Sequence, residues 1–312
     1  MVLSREAATA TRLYEELFHL MRHHASQEES RGGPVATITV PVAATLRNPQ
    51  ARVLFAPVRR PNHVFHVMEA IWMLGGERNV NWLKQFNKNI ATYAEDSGDI
   101  HGAYGWRWRK HWNFDQLKAI VDTLRGDTTN RQCVLSMWDP AQDLGTEFKD
   151  RPCNTHIYFR ITGGKLNMTV CNRSNDLVWG MMGSNIVHMT MLQELMAVWC
   201  GTKLGTYTVV TNNLHIYKDL PNFDDIWGEA MHLQSEGWHE PCGMIKMGES
   251  AEIFLMDCKR FMAGEATKCR WFDEVAAPMR DFYLDVPNRV KHLSRIADPA
   301  WHTGMKQWIA GR

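Results

Sequence analysis

Apolar residues recur at helical spacing near the start of the chain, where Leu13, Leu17 and Leu20/Met21 share one side of a helix expected to be capped by Ser4. The polar, glycine-containing stretch from Gln27 to Gly33 that follows reads as a mobile or ligand-binding loop. Pro34 to Val42 is rich in β-branched residues and reads as a strand interrupted at Pro41. From His63 to Leu74 the chain is almost continuously apolar, which predicts a buried helix stopped by Gly75-Gly76. Glu69 falls inside that helix. A buried carboxylate is costly unless it is paired or protonated, so Glu69 should have a specific partner or a chemical role.

Further along, Asn113 with Gln116 three residues later resembles a capping box opening a helix to Leu124, and Cys133 to Trp138 reads as a short strand. The clearest local signal is a pair of alternating arms, Thr155–Thr162 and Lys165–Cys171, joined by Gly163-Gly164 as a two-residue hairpin. If Thr162 pairs with Lys165, the register carried down the ladder puts Cys153 opposite Ser174 and beside Arg173, about 5 Å away. Positive charge next to a thiol favours the reactive thiolate, which makes Cys153 a candidate nucleophile.

With 312 residues, 45% of them hydrophobic, and no repeat or linker, the chain reads as a single α/β or α+β domain over 1–312. A net charge of +1 gives no footprint for DNA, RNA or an anionic membrane. The cluster Trp106-Arg107-Trp108-Arg109 would otherwise suit base stacking in a nucleic-acid-binding module, and the near-neutral chain argues against that alternative. Seven dispersed cysteines without a C-x-x-C pair read as reduced thiols, and fourteen histidines without an H-E-x-x-H context point to no metal site. No apolar run has the length of a membrane span and no signal core stands at the N-terminus, so a cytoplasmic protein is expected.

Several motifs in order are more specific than any one of them. Arg151-Pro152-Cys153-Asn154, Arg173-Ser174-Asn175-Asp176, Gly180, Asn185 and Asn213-Leu214-His215-Ile216-Tyr217 resemble the thymidylate synthase signature. Upstream, Glu69 and Trp72 in the helix ending at Gly75-Gly76 resemble the family's glutamate helix, and Tyr104-Gly105 resembles its tyrosine-glycine loop. The resemblance runs through roughly residues 63–217, between an N-terminal helix and phosphate loop (1–62) and a divergent C-terminal region (218–312). It implies the thymidylate synthase fold: a large mixed β-sheet flanked by helices, with sheets packed back to back in a homodimer. It also implies that Cys153 adds to C6 of a pyrimidine nucleotide, making C5 a nucleophile toward the carbon of 5,10-methylenetetrahydrofolate. Glu69 would organise water and proton transfer with Tyr104, Asp176 would face the pterin, and Asn185 would read the base through its amide. His215 and Tyr217 would hold the sugar hydroxyl, and Arg173, Ser174, Arg31 and an Arg131 donated by the opposite subunit would hold the phosphate.

Departures from the family bear on the product. Ile90 falls where thymidylate synthases usually carry a tryptophan near the transferred carbon, alongside Trp72 in the folate pocket, and a second family tryptophan falls on Tyr93. Asn154 replaces the usual histidine after the nucleophile, Gly180 to Asn185 is one residue longer than usual, and Trp308 to Arg312 lacks the closing terminal segment. Hydride on the C5 methylene gives a methyl group and water gives a hydroxymethyl group, so an altered shield points to a hydroxymethylase of the phage type. An amide at Asn185, with no aspartate between Gly180 and His188, favours dUMP over dCMP.

Overall fold

The computed structural model describes residues 1–230 and 250–310; Cys242 and the terminal Gly311 and Arg312 lie outside the described residues. Strands β1 (Leu3–Ala7), β4 (Val42–Leu46), β9 (Lys203–Thr211), β7 (Lys165–Asn172), β6 (Asn154–Thr162) and β5 (Val134–Ser136) form a six-stranded sheet in that order. Strands β2 (Ser26–Ser30), β3 (Gly33–Ile38), β10 (Leu214–Tyr217) and β8 (Asn175–Asp176) form a second sheet. The larger sheet is mixed, with β1 parallel to β4 and β7 parallel to β9.

Alternation along its strands sets which face is covered. Val42, Ala44, Leu46, Ile157, Phe159, Leu166, Met168, Val170, Tyr207 and Val209 are buried. They pack beneath helices α1 (Ala10–His24), α2 (His63–Leu74) and α6 (Ile186–Cys200). The intervening positions, among them Ala43, Thr45, Thr169, Cys171, Thr208 and Val210, form a face that no described element fully covers, and Tyr158 on it is 43% exposed. Helix α6 is apolar nearly all round, as its burial requires. Its one amide, Gln193, donates to the carbonyls of Leu166 and Thr206, where the β7–β9 register shifts.

The helix predicted over His63–Leu74 forms over those residues; Asn62 accepts from the Phe65 N–H at its start, and Gly76 follows its end at φ 72°. Two expected caps are corrected. Ser4 lies in β1, whose parallel pairing with β4 claims the backbone, and Thr9 caps α1 instead. Helix α4 (Gln116–Gly126) is capped by Asp115, because Asn113 stands at φ 57°, outside the extended region that an N-cap occupies. Gln116 is drawn into bonding the Arg107 carbonyl and both backbone groups of Ser136. The stretch Pro34–Val42 is not one strand: the chain leaves β3 for the other sheet and resumes as β4 after Pro41, which has no N–H for a ladder. Residues 27–33 are not a free loop either. They build the exposed β2–β3 hairpin, with Arg31 and Gly32 at its turn.

Candidate active site

The hairpin β6–β7 pairs as the sequence predicts from Thr162↔Lys165 to His156↔Cys171, and then a bulge shifts the register so that Asn154 faces Asn172. Gly163 and Gly164, at φ 57° and 71°, supply the turn. The bulge corrects the register at Cys153, which lies opposite Arg173 rather than Ser174, while the expected closeness of Cys153 to Arg173 holds. The Arg173 N–H donates to the Cys153 carbonyl at 2.9 Å, and its Nη2 lies 3.7 Å from Sγ. The same guanidinium donates to the carbonyls of Pro152 and Arg151, strapping the segment that carries the thiol.

Charge at the thiol runs against the expectation of a thiolate. Burial pushes the Cys153 pKa up and Asp150 adds to the rise, while Arg173 and Arg31 offset only part of it. Cys153 therefore rests as a thiol. Beside it, the Tyr104 hydroxyl accepts from the backbone N–H groups of Asn154 and Cys153, and burial first, then Cys153 and Asp150, holds it protonated. Tyr104 opens the short helix α3 (Tyr104–Arg109), which sits flush on the end of α2: a Cβ at Gly105 would stand 1.8 Å from the Met73 carbonyl oxygen.

The second sheet supplies the opposite wall. Parallel pairing of β8 with β10 sets Asp176 beside His215. Asn213 organises this wall: its Nδ2 donates to Thr37, and its Oδ1 accepts from Ser174 Oγ at 3.2 Å and lies 2.8 Å from His215 Nδ1. Burial lowers the His215 pKa, so the neutral ring donates through Nδ1 and keeps Nε2 as an acceptor. Tyr217 meets His215 edge-on at 5.1 Å, and the Arg31-Gly32 turn lies on the Tyr217 ring, where a Cβ on Gly32 would stand 2.8 Å from it. Burial raises the Tyr217 pKa as it does that of Cys153, and Arg31 offsets a small part of each rise, so the hairpin turn brings this exposed arginine into the field of Cys153.

Asp176 caps the helical segment Leu177–Asn185, accepting from the Trp179 N–H at 2.7 Å. Among the described residues its buried Oδ2 meets no hydrogen-bond partner, and burial raises its pKa to about 6. That segment is a wide-turn π-helix with a kink at Gly183. A π-turn holds one more residue per turn, which is how the long Gly180–Asn185 spacing still delivers Asn185 to the start of α6. Asn185 Nδ2 donates to Asn175 Oδ1 at 3.4 Å. Asn154 is fully buried, and both ends of its amide, like those of Asn172 opposite, lack a hydrogen-bond partner among the described residues.

Glu69 has the specific partner expected of it, His188 of α6, with Oε2 and Nε2 3.1 Å apart. Sequence reasoning missed this histidine; the available signal was a lone imidazole in an apolar helix, three residues after Asn185 and so on the same face. It also missed Arg59, a buried guanidinium under the Trp179 ring that donates to the Val178 carbonyl and whose Nε and Nη1 have no partner among the described residues. Ile90 is buried in a short helix over Lys88–Tyr93, and Trp72 spends its indole N–H on the Asn79 carbonyl. Arg131 is exposed and, among the described residues, makes no polar contact with this cluster.

A family model described as thymidylate synthase matches residues 12–234, a longer stretch than the motifs alone span. A deoxyuridylate hydroxymethyltransferase of Pseudomonas phage M6 is 42% identical over 208 residues, covering 66% of this chain and 59% of that protein. Proteins of the same description from Bacillus phage SP01 and Delftia phage PhiW-14 are 34% and 30% identical, covering 67% and 62% of this chain. The chain spans under three-fifths of the length of these curated relatives, at 59%, 57% and 56%. Among the described residues, no helix is long and apolar enough to cross a membrane. The motifs, the two sheets that bring them together and the matched span agree: this chain belongs to the thymidylate synthase family.

Proposed function

We propose that the protein transfers a one-carbon unit to C5 of dUMP and delivers it as a hydroxymethyl group, giving 5-hydroxymethyl-dUMP. The observation that carries this reading is the setting of Cys153: a buried thiol with the Arg173 guanidinium 3.7 Å from its sulfur, Tyr104 on its backbone and Arg31 in range. A nucleotide phosphate placed among Arg173, Ser174 and Arg31 would anchor the base over Sγ. Asn185 would present its amide to the pyrimidine edge, and His215 Nε2 with Tyr217 would take the sugar hydroxyl.

The donor set fits a folate. The buried Oδ2 of Asp176, without a hydrogen-bond partner among the described residues, calls for an N–H donor, and a pterin edge supplies one. When bound there, 5,10-methylenetetrahydrofolate would supply carbon at the oxidation level of formaldehyde. Ile90, with Trp72 behind it, would line the ring pocket, and Ile90 offers less bulk against water than an indole would. Glu69, beside His188, would handle the protons, and buried Asn154 would pack behind the nucleophile. The phage relatives' description as deoxyuridylate hydroxymethyltransferases supports both the uracil base and the hydroxymethyl product.

Assembly as a homodimer is part of the proposal. It is supported by the uncovered face of the six-stranded sheet, with Tyr158 43% exposed, and by Arg131, an exposed arginine free to reach a partner's phosphate site.

Product mass after incubation with methylenetetrahydrofolate and either dUMP or dCMP tests the reading. The expected product is hydroxymethyl-dUMP, while a methyl product or preferential conversion of dCMP overturns it. Cys153→Ser should keep dUMP binding and lower turnover by about three orders of magnitude or more.

A further inference from the structure

We infer that His188 is the proton partner of Glu69, a positioning residue that holds this carboxylate as the base for the water that adds to the C5 methylene. This rests on the hydroxymethylation reading. Glu69 sits on α2 and His188 on α6, and packing of these two core helices sets Oε2 3.1 Å from Nε2. His188 is 3% exposed, and among the described residues its Nε2 makes no aligned hydrogen bond, so the Glu69 carboxylate 3.1 Å away is the acidic group this nitrogen meets. A buried imidazole with one acidic neighbour is placed to share a proton with it.

The chemistry requires such a sink. When water adds to the exocyclic methylene, a C–O bond forms and the electron pair of the C5=CH2 bond moves onto O4. The water then loses one proton. The same pair returns to make C5=C6 as the C6–S bond breaks, and Cys153 leaves as a thiolate. Glu69 takes the water's proton, and His188 stabilises both protonation states of the pair until the proton passes to solvent. Other groups around the pair do not compete. His66, one turn before Glu69, and His63 are held neutral by burial and by Arg59, and Arg59, whose own pKa burial lowers, is engaged with the Val178 carbonyl.

The test uses His188→Gln, which keeps a donor of similar reach but cannot titrate, together with Glu69→Gln and the double variant. His188→Gln is expected to leave the KM for dUMP within about threefold, to lower kcat about tenfold to a hundredfold and to shift the kcat–pH profile. In the presence of 2-mercaptoethanol, which gives up its proton to solvent and adds as the thiolate without such a base, the variant should divert methylene to the 5-thioether. The double variant should lose little beyond Glu69→Gln, since His188 acts through that carboxylate. If His188→Gln does not fold, the smaller His188→Asn carries the same comparison. A hydroxymethyl product from the wild type, with variants matching its pH profile and thiol partition or with additive losses, overturns this inference alone. A methyl product from the wild type overturns the underlying reading and the inference with it.

Discussion

At the scale of single residues, burial sets the chemistry more than neighbouring charge does. Cys153 has a guanidinium 3.7 Å from its sulfur and still rests as a thiol, because loss of water opposes the thiolate more than Arg173 and Arg31 favour it. Asp176 responds to the same force. Its carboxyl pKa stands at about 6 instead of the usual 3.8, so around pH 5 it binds a proton that an unfolded chain would have released. A pterin N–H needs the ionised form. Apparent folate affinity should therefore fall by about tenfold per pH unit as pH drops below about 6, since one proton is taken up there. The KM for methylenetetrahydrofolate against pH checks this, and Asp176→Asn should flatten the dependence. The sign for stability is the opposite: a raised carboxyl pKa adds stability below the unfolded value, and this contribution is lost as pH rises toward 6. Cys153, Arg173 and Glu69 were legible as single residues. His188 was not, because an imidazole in an apolar helix carries no sign of what the next helix holds against it.

At the scale of elements, two irregularities place the site. The bulge at the start of β6 moves Cys153 from Ser174 to Arg173, and the π-turn before α6 takes up an extra residue without displacing Asn185. A hairpin register read from alternation assumes an unbroken ladder, so it placed the strand and missed the shift at its end. The contact between α2 and α3 is equally exacting. Because a Cβ at Gly105 would stand 1.8 Å from the Met73 carbonyl, Gly105→Ala must push the helices apart and carry Tyr104 away from the nucleophile. We expect a stability loss of about 3 kcal/mol in chemical denaturation, the scale of an overpacked core, together with reduced turnover.

At the scale of the whole molecule, one face of the large sheet is roofed by helices, and among the described residues nothing roofs the other. If that open face joins two copies, Arg131 completes the partner's phosphate site. Each variant, Arg131→Ala and Cys153→Ser, should then be poorly active alone at limiting dUMP. Mixed and reassociated, they should recover about a quarter of wild-type activity, since half of random dimers are hybrids with one intact site. No recovery, or a monomer by sedimentation, would remove Arg131 from the site. What the sequence determined by itself was local: the apolar period that makes α2, the Gly-Gly turn of β6–β7, and motifs whose chemistry fits a pyrimidine and a folate. These follow from side-chain pattern along a few consecutive residues. The tertiary structure decided the rest, namely the partner of Glu69, the protonation of Cys153 and Asp176, and the approach of Arg31 to Tyr217. Each of these depends on distances and on lost water between segments far apart in the chain, and neither is encoded in any one stretch of it.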